Sequence, residues 1–126
     1  WTPEQMNSLM ERIETIALQT AKKHKLNHEL FWFGYFAATK NHAFCNSVIQ
    51  ESATEKGTDC VFQKHPLKFG EDFGVFTQRY PGAMFGLGSG TDTPALHNPD
   101  YDFPDEIIET GILMFTEIIT TILEKK

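Results

Sequence analysis

A long glycine-broken stretch holding one histidine, Pro81 to Phe103 (PGAMFGLGSGTDTPALHNPDYDF), restricts the possible folds of this chain more than any other feature. It opens on Ala83-Met84-Phe85-Gly86-Leu87, an apolar run bounded by glycines, which is the pattern of a buried strand. It closes on Pro104-Asp105-Glu106, the start of a strongly apolar helix. Between Gly86 and Asp102 nothing predicts regular structure. A connection of that length inside a compact domain is either functional or disordered. Apolar and aromatic residues at both ends argue against disorder. His97 is therefore expected in a placed loop at the C-terminal end of a strand, where open α/β sheets hold their ligands.

The rest of the chain alternates helical and strand patterns. Thr2 and Gln5 form a Thr-x-x-Gln capping box, and Pro3 suits the first helical position. Trp1 and Met6 have the spacing of a hydrophobic staple. Met6, Leu9, Met10, Ile13, Ile16, Ala17, Thr20 and Ala21 recur at three and four residues, so the spacing predicts a helix from Pro3 to about His24. Leu30 to Phe36 (LFWFGYF) reads as a strand apolar on both faces and covered on both. Asn41 to Lys56 carries a weaker helical pattern closed by Gly57 at the position after the cap, and Cys60 to Gln63 reads as a short strand. A brief helix is expected from Glu71 to about Arg79, with Glu71 and Asp72 either capping it or lining a pocket. The last helix, Pro104 to about Leu123, is expected to bury Ile107, Ile108, Ile112, Phe115, Ile118, Ile119 and Ile122.

Composition narrows the partners. The 126 residues carry a formal charge of −6, with apolar residues at 40% and eleven phenylalanines, which describes a globular chain with an aromatic core. Net acidity argues against nucleic acid or an anionic membrane surface. The aromatics of Leu30 to Phe36 lack the basic neighbours that a base-stacking platform needs. No apolar run is long enough to span a membrane. Cys45 and Cys60 form no Cys-x-x-Cys pattern, and His42-x-x-Cys45 offers only two of the ligands a tetrahedral zinc site needs, so the cysteines read as two buried thiols of a reducing, cytoplasmic compartment. The chain begins at Trp1, which fits a piece of a longer protein.

Among the five histidines, His24 and His28 flank a helix end, His42 precedes a helix, and His65 sits in a plain connection. Gly86-Leu87-Gly88-Ser89-Gly90 lacks the third glycine of a dinucleotide fingerprint and any Lys-Ser/Thr, and it leads into Thr-Asp-Thr-Pro rather than a helix. A nucleotide site is excluded. Close backbone approach to a substrate carboxylate suits Gly88, Ser89 and Gly90 better, beside the plainer role of a strand-end turn.

Gly70-Glu71-Asp72-Phe73, Pro81-Gly82-Ala83, Leu87-Gly88-Ser89-Gly90, Leu96-His97-Asn98-Pro99 and Tyr101-Asp102-Phe103 together resemble the closing segment of the aminoacylase and carboxypeptidase type of metal-dependent amidohydrolase. The nearest branch is that of N-acyl-amino-acid, hippurate and auxin-conjugate hydrolases. The resemblance covers almost the whole chain. It implies an α/β fold: the C-terminal part of a three-layer α/β/α metallohydrolase domain, residues 40–126. Residues 1–39 would be the last helix and strand of an inserted lid or dimerisation domain.

The resemblance further implies that His97 ligates one of two co-catalytic divalent ions, zinc first and manganese or cobalt as alternatives. Gly70, Glu71, Asp72 and Phe73, with Gly88, Ser89 and Gly90, would line the substrate pocket. The implied substrate is a small N-acyl amino acid or related conjugate, and the implied assembly a homo-oligomer. The family's Cys-Gly-His-like motif, adjacent glutamates and further histidine are not in this sequence. Asp105-Glu106 lies downstream of His97 and is not that glutamate pair. The expected function is therefore the C-terminal portion of an amidohydrolase, inactive alone, with a non-catalytic association module as the alternative. Leu30 to Phe36 would belong to a sheet whose other strands lie upstream, so the isolated chain is expected to self-associate or aggregate. Light scattering that shows a stable monomer at high concentration would contradict this.

Overall fold

The computed structural model describes residues 2–125 and holds four helices in them: α1 (Pro3–Lys23), α2 (Ala43–Glu55), α3 (Gly74–Thr77) and α4 (Ile107–Glu124). The capping box that starts α1 is formed. Thr2 Oγ1 accepts from the Gln5 N–H at 3.2 Å, and Gln5 Oε1 accepts from the Thr2 N–H at 2.9 Å. Trp1, the outer half of the expected staple, lies outside the described residues. Glu4 sits in the first turn, where its own backbone N–H, and then the Thr2 side chain, holds its carboxyl below the usual range.

Helices α1 and α2 end in the same way. The Leu26 N–H reaches the Ala21 carbonyl at 2.9 Å and the Lys25 N–H reaches Lys22 at 3.2 Å. After α2, Thr58 reaches Ala53 at 2.8 Å and Gly57 reaches Thr54 at 3.0 Å. Both are Schellman closures, which need a left-handed residue just past the cap. Gly57 fills that place at φ 63°, as its position in the sequence predicts, and Lys25 fills the other at φ 54°.

Helices α3 and α4 are shorter than expected at their starts. Bonds between residues three apart occupy the missing turns, Val75 N–H to the Asp72 carbonyl and Ile107 N–H to the Pro104 carbonyl. The expected strands Leu30–Phe36, Cys60–Gln63 and Ala83–Leu87 are not strands here: no ladder occurs among the described residues. A strand exists only beside a partner, and these runs do not pair with one another. The α/β layering is correspondingly absent among the described residues. Leu30 to Phe36 is not covered on both faces either, with Phe31 at 75% and Phe33 at 93% exposure.

The chain divides into two compact units. In the first, residues 1–40 and 64–80, Ala21 and Ala37 are the buried apolar residues. The Trp32 indole N–H donates to Glu14 of α1 at 2.6 Å. Gly74 lies against the backbone at Ala37, so that a Cβ there would run into the Ala37 carbonyl. A Cβ on Gly70 would come within 2.6 Å of the Phe36 ring.

In the second unit, residues 41–63 and 81–126, α2 and α4 pack antiparallel. Val48, Ser52 and Ala53 of α2 and Met114 and Thr121 of α4 are buried. The Ser52 and Thr121 hydroxyls satisfy each other at 3.3 Å across the contact. Outside it, Lys56–Glu117 and Lys125–Glu51 form ion pairs of 2.6 Å each, placed where water weakens them. Packing on α2 uses only one face of α4. Ile108, Ile112, Phe115, Ile119 and Ile122, expected to be buried, form an exposed stripe at i, i+4, i+7, i+11 and i+14. Both cysteines are free, but Cys60 is exposed and Cys45 half-buried rather than both buried.

Gly74→Ala forces backbone apart, which a side-chain rotation cannot relieve. It should destabilise the first unit by about 1–3 kcal/mol, read as a lower urea midpoint, whereas Gly86→Ala, which meets nothing within 4 Å, should leave the midpoint nearly unchanged.

Candidate functional site

The Gly86–His97 loop issues from a segment held on two sides. On one, the Asn41 carboxamide grips the Met84 backbone at both ends: Nδ2 donates to the Met84 carbonyl at 2.8 Å, and Oδ1 accepts from the Met84 N–H at 2.9 Å. The second Nδ2 hydrogen goes to Asn46 Oδ1 at 3.1 Å, and the His42 N–H donates to the Gly82 carbonyl at 2.8 Å. On the other side, Phe85 tilts against Phe115 of α4 with ring centroids 5.5 Å apart. The Leu87 Cδ1 lies 3.2 Å from where a Cβ on Gly111 would be.

Beyond Leu87 the loop makes its own turns. The Thr93 hydroxyl donates to the Ser89 carbonyl at 2.7 Å, spanning Gly90, whose φ is 89°. Gly88 and Gly90 face open space, which leaves room for a close ligand approach. Then Ala95–Asn98 closes a four-residue turn, with the Asn98 N–H on the Ala95 carbonyl at 3.0 Å. His97 is its third residue, at φ 73°. A type II turn requires positive φ at that place and takes glycine or asparagine there. Histidine accepts it at a cost of about 1–2 kcal/mol, the penalty of an L-residue in the left-handed region. The imidazole is thus carried, exposed, at the apex of a strained turn. Strain of this kind persists where surrounding structure imposes it and gathers at functional positions.

His97, Gly88, Ser89 and Gly90 lie in the second unit, whereas Gly70, Glu71, Asp72 and Phe73 lie in the first. Glu71 and Asp72 are exposed and cap nothing: α3 starts at Gly74 without a side-chain cap. Phe73 packs against Phe76 at 6.0 Å. Among the described residues, no three His, Cys, Asp or Glu side chains come together as a metal would need. The donors of this chain do not by themselves fit a metal centre. Asn41 escaped the sequence reading. An asparagine just before a helix signals a cap, and no local signal marks a side chain that reaches 43 residues along the chain.

Residues 10–121 match the family described as Peptidase family M20/M25/M40. The chain belongs to that family. M20 proteins are hydrolases, peptidases or deacetylases, and are generally metal-dependent. The chain is similar to N-acetyldiaminopimelate deacetylases of several bacteria. With that of Lactobacillus helveticus it shares 30% identity over 107 residues, 83% of this chain and 27% of the relative. With that of Lacticaseibacillus paracasei the figures are 31% over 108 residues, 84% and 28%. With that of Streptococcus pneumoniae they are 27% over 121 residues, 94% and 30%. The chain therefore spans less than a third of the length of these M20 relatives. No solved structure matches it.

The left-handed backbone at His97 makes a prediction that needs no metal. His97→Gly should be more stable than His97→Ala by about 1 kcal/mol, because glycine adopts positive φ without a Cβ penalty. Urea unfolding of the two variants measures the difference; equal midpoints would mean that the turn is not held in this conformation.

Proposed function

We propose that this chain is the C-terminal portion of an M20 amidohydrolase that cleaves the amide bond of N-acyl amino acids or related small conjugates. The observation that carries the reading is His97, an exposed imidazole on a strained turn that ends a pinned, glycine-rich loop. Family membership over residues 10–121 supports it. So do the relatives, whose shared name specifies an N-acetylated amino acid and the removal of its acetyl group.

In this reading His97 gives one imidazole to a pair of divalent ions whose other ligands lie outside these 126 residues. Zinc suits the nitrogen donor, with manganese or cobalt as alternatives. When bound, such a pair supplies a polarised amide carbonyl and hydroxide at neutral pH. The part of this chain is to aim the imidazole and to offer the backbone of Gly88, Ser89 and Gly90 to the substrate carboxylate. Gly70, Glu71, Asp72 and Phe73 would line a substrate pocket of the complete protein. Residues 1–39 would close a lid or dimerisation domain, residues 40–126 would complete a three-layer α/β/α domain, and the assembled protein would be a cytoplasmic homo-oligomer. A second reading, a non-catalytic association module, draws on the exposed stripe of α4 and the exposed aromatics of Leu30 to Phe36.

A catalytic zinc site needs three protein ligands, so the 126-residue chain should neither keep zinc through dialysis nor hydrolyse N-acyl amino acids. Stoichiometric zinc with turnover in this chain alone would overturn the reading. In a protein of the relatives' full length, His97→Ala should abolish most activity and empty one metal position while costing little stability. Retention of both metals and near-normal turnover would sink the assignment of His97 and favour the association module.

A further inference from the structure

The Asn41 carboxamide makes the two hydrogen bonds that a residue of a neighbouring strand would make to Met84. In an antiparallel ladder, two facing residues exchange N–H and C=O. Here the side-chain amide takes the place of one of them, at 2.8 and 2.9 Å. Its remaining N–H is used by Asn46 of α2, so every polar atom of the amide is engaged. The adjacent His42 N–H continues the pattern two residues back, on Gly82. These are the polar anchors of the segment; its apolar ones, Phe85 and Leu87, both meet α4. The loop that carries His97 starts where these anchors end.

We infer that Asn41 is a positioning residue: by imitating a β-strand neighbour it holds Gly82–Met84 and so sets the place from which the Gly86–His97 loop departs. Its bearing on catalysis rests on the proposed role of His97, but the clamp itself is measurable in this chain without metal or substrate.

A carboxamide is matched in shape by a neutral carboxylic acid, which can also donate one bond and accept one. A carboxylate can only accept, and would confront the Met84 carbonyl. Asn41→Asp should therefore break the clamp near neutral pH and restore it on acidification. The folded state favours the neutral acid, so the pKa of Asp at this position is raised, and the clamp is present below that pKa and lost as pH rises through it. His42, adjacent in the chain, is a second titratable group; the wild-type chain and Asn41→Ala both carry it and serve as controls. Cys45, in the first turn of α2, is the other titratable neighbour and is likewise present in both controls.

Amide hydrogen exchange by NMR on the 126-residue chain, corrected for intrinsic rates, reads the result. In the wild-type chain, the Met84 N–H should exchange more slowly than those of Ala83 and Phe85, which have no hydrogen-bond partner among the described residues. In Asn41→Ala the Met84 protection should fall about tenfold at every pH, the effect of losing one ordinary hydrogen bond, and resonances of the Gly86–His97 loop should shift. In Asn41→Asp the protection should be lost at pH 7 and recovered in acid, with the loop resonances returning towards wild type. Equal exchange of Met84, Ala83 and Phe85 in the wild-type chain would overturn the inference, whether or not the variants fold. So would an Asn41→Asp chain with no recovery in acid, or loop resonances unmoved in both variants. None of these outcomes depends on zinc or turnover, which test the amidohydrolase reading separately.

Discussion

Backbone that is neither helical nor laddered must find a partner for each N–H and C=O one at a time. That requirement organises most of what lies between the helices here. Lys25 and Gly57 turn left-handed so that the ends of α1 and α2 can close on themselves. Asn41 and His42 supply to Gly82 and Met84 what a strand would have supplied. Thr93 reaches back to Ser89, and Asn98 to Ala95. Each device is local except the Asn41 and His42 contacts, which connect the start of α2 to the segment that leads into the loop bearing His97.

The second unit shows how the helix pair and the loop depend on each other. The contact between α2 and α4 is small, and its buried residues are Val48, Ala53 and Met114 with the hydrogen-bonded Ser52–Thr121 pair. It nevertheless gives α4 a fixed face from which Phe115 and Gly111 receive Phe85 and Leu87. With α2 also contributing Asn46 to the clamp, one helix pair governs both flanks of the segment. The turn at His97 is then free to carry strain, because its approach is already determined.

The helices were legible in the sequence because their signals are local. Thr2 and Gln5 marked the start of α1, and Gly57 the end of α2, from spacing alone. Strand patterns were also read at Leu30–Phe36, Cys60–Gln63 and Ala83–Leu87, yet an apolar run reports a tendency that only a neighbouring strand can realise. The same holds for α4: its periodicity revealed an apolar helix but not which face α2 would cover, and the stripe from Ile108 to Ile122 is the uncovered one. His97 was legible as the histidine of a long irregular loop. Its left-handed backbone was not, since histidine, although more often left-handed than most side chains, is not the turn signal that glycine or asparagine is.

The clamp also has a consequence for solubility. The Met84 N–H and carbonyl and the Gly82 carbonyl turn to one side, where Asn41 and His42 already engage them. Alternation along a strand turns the groups of Ala83 and Phe85 to the other side. A side chain cannot pass a hydrogen-bonding row onward as a strand does, so any stack of chains growing along this segment would stop at Asn41. The asparagine acts as a terminator, giving an aggregation-prone apolar run one closed edge and a single direction in which it can add another strand.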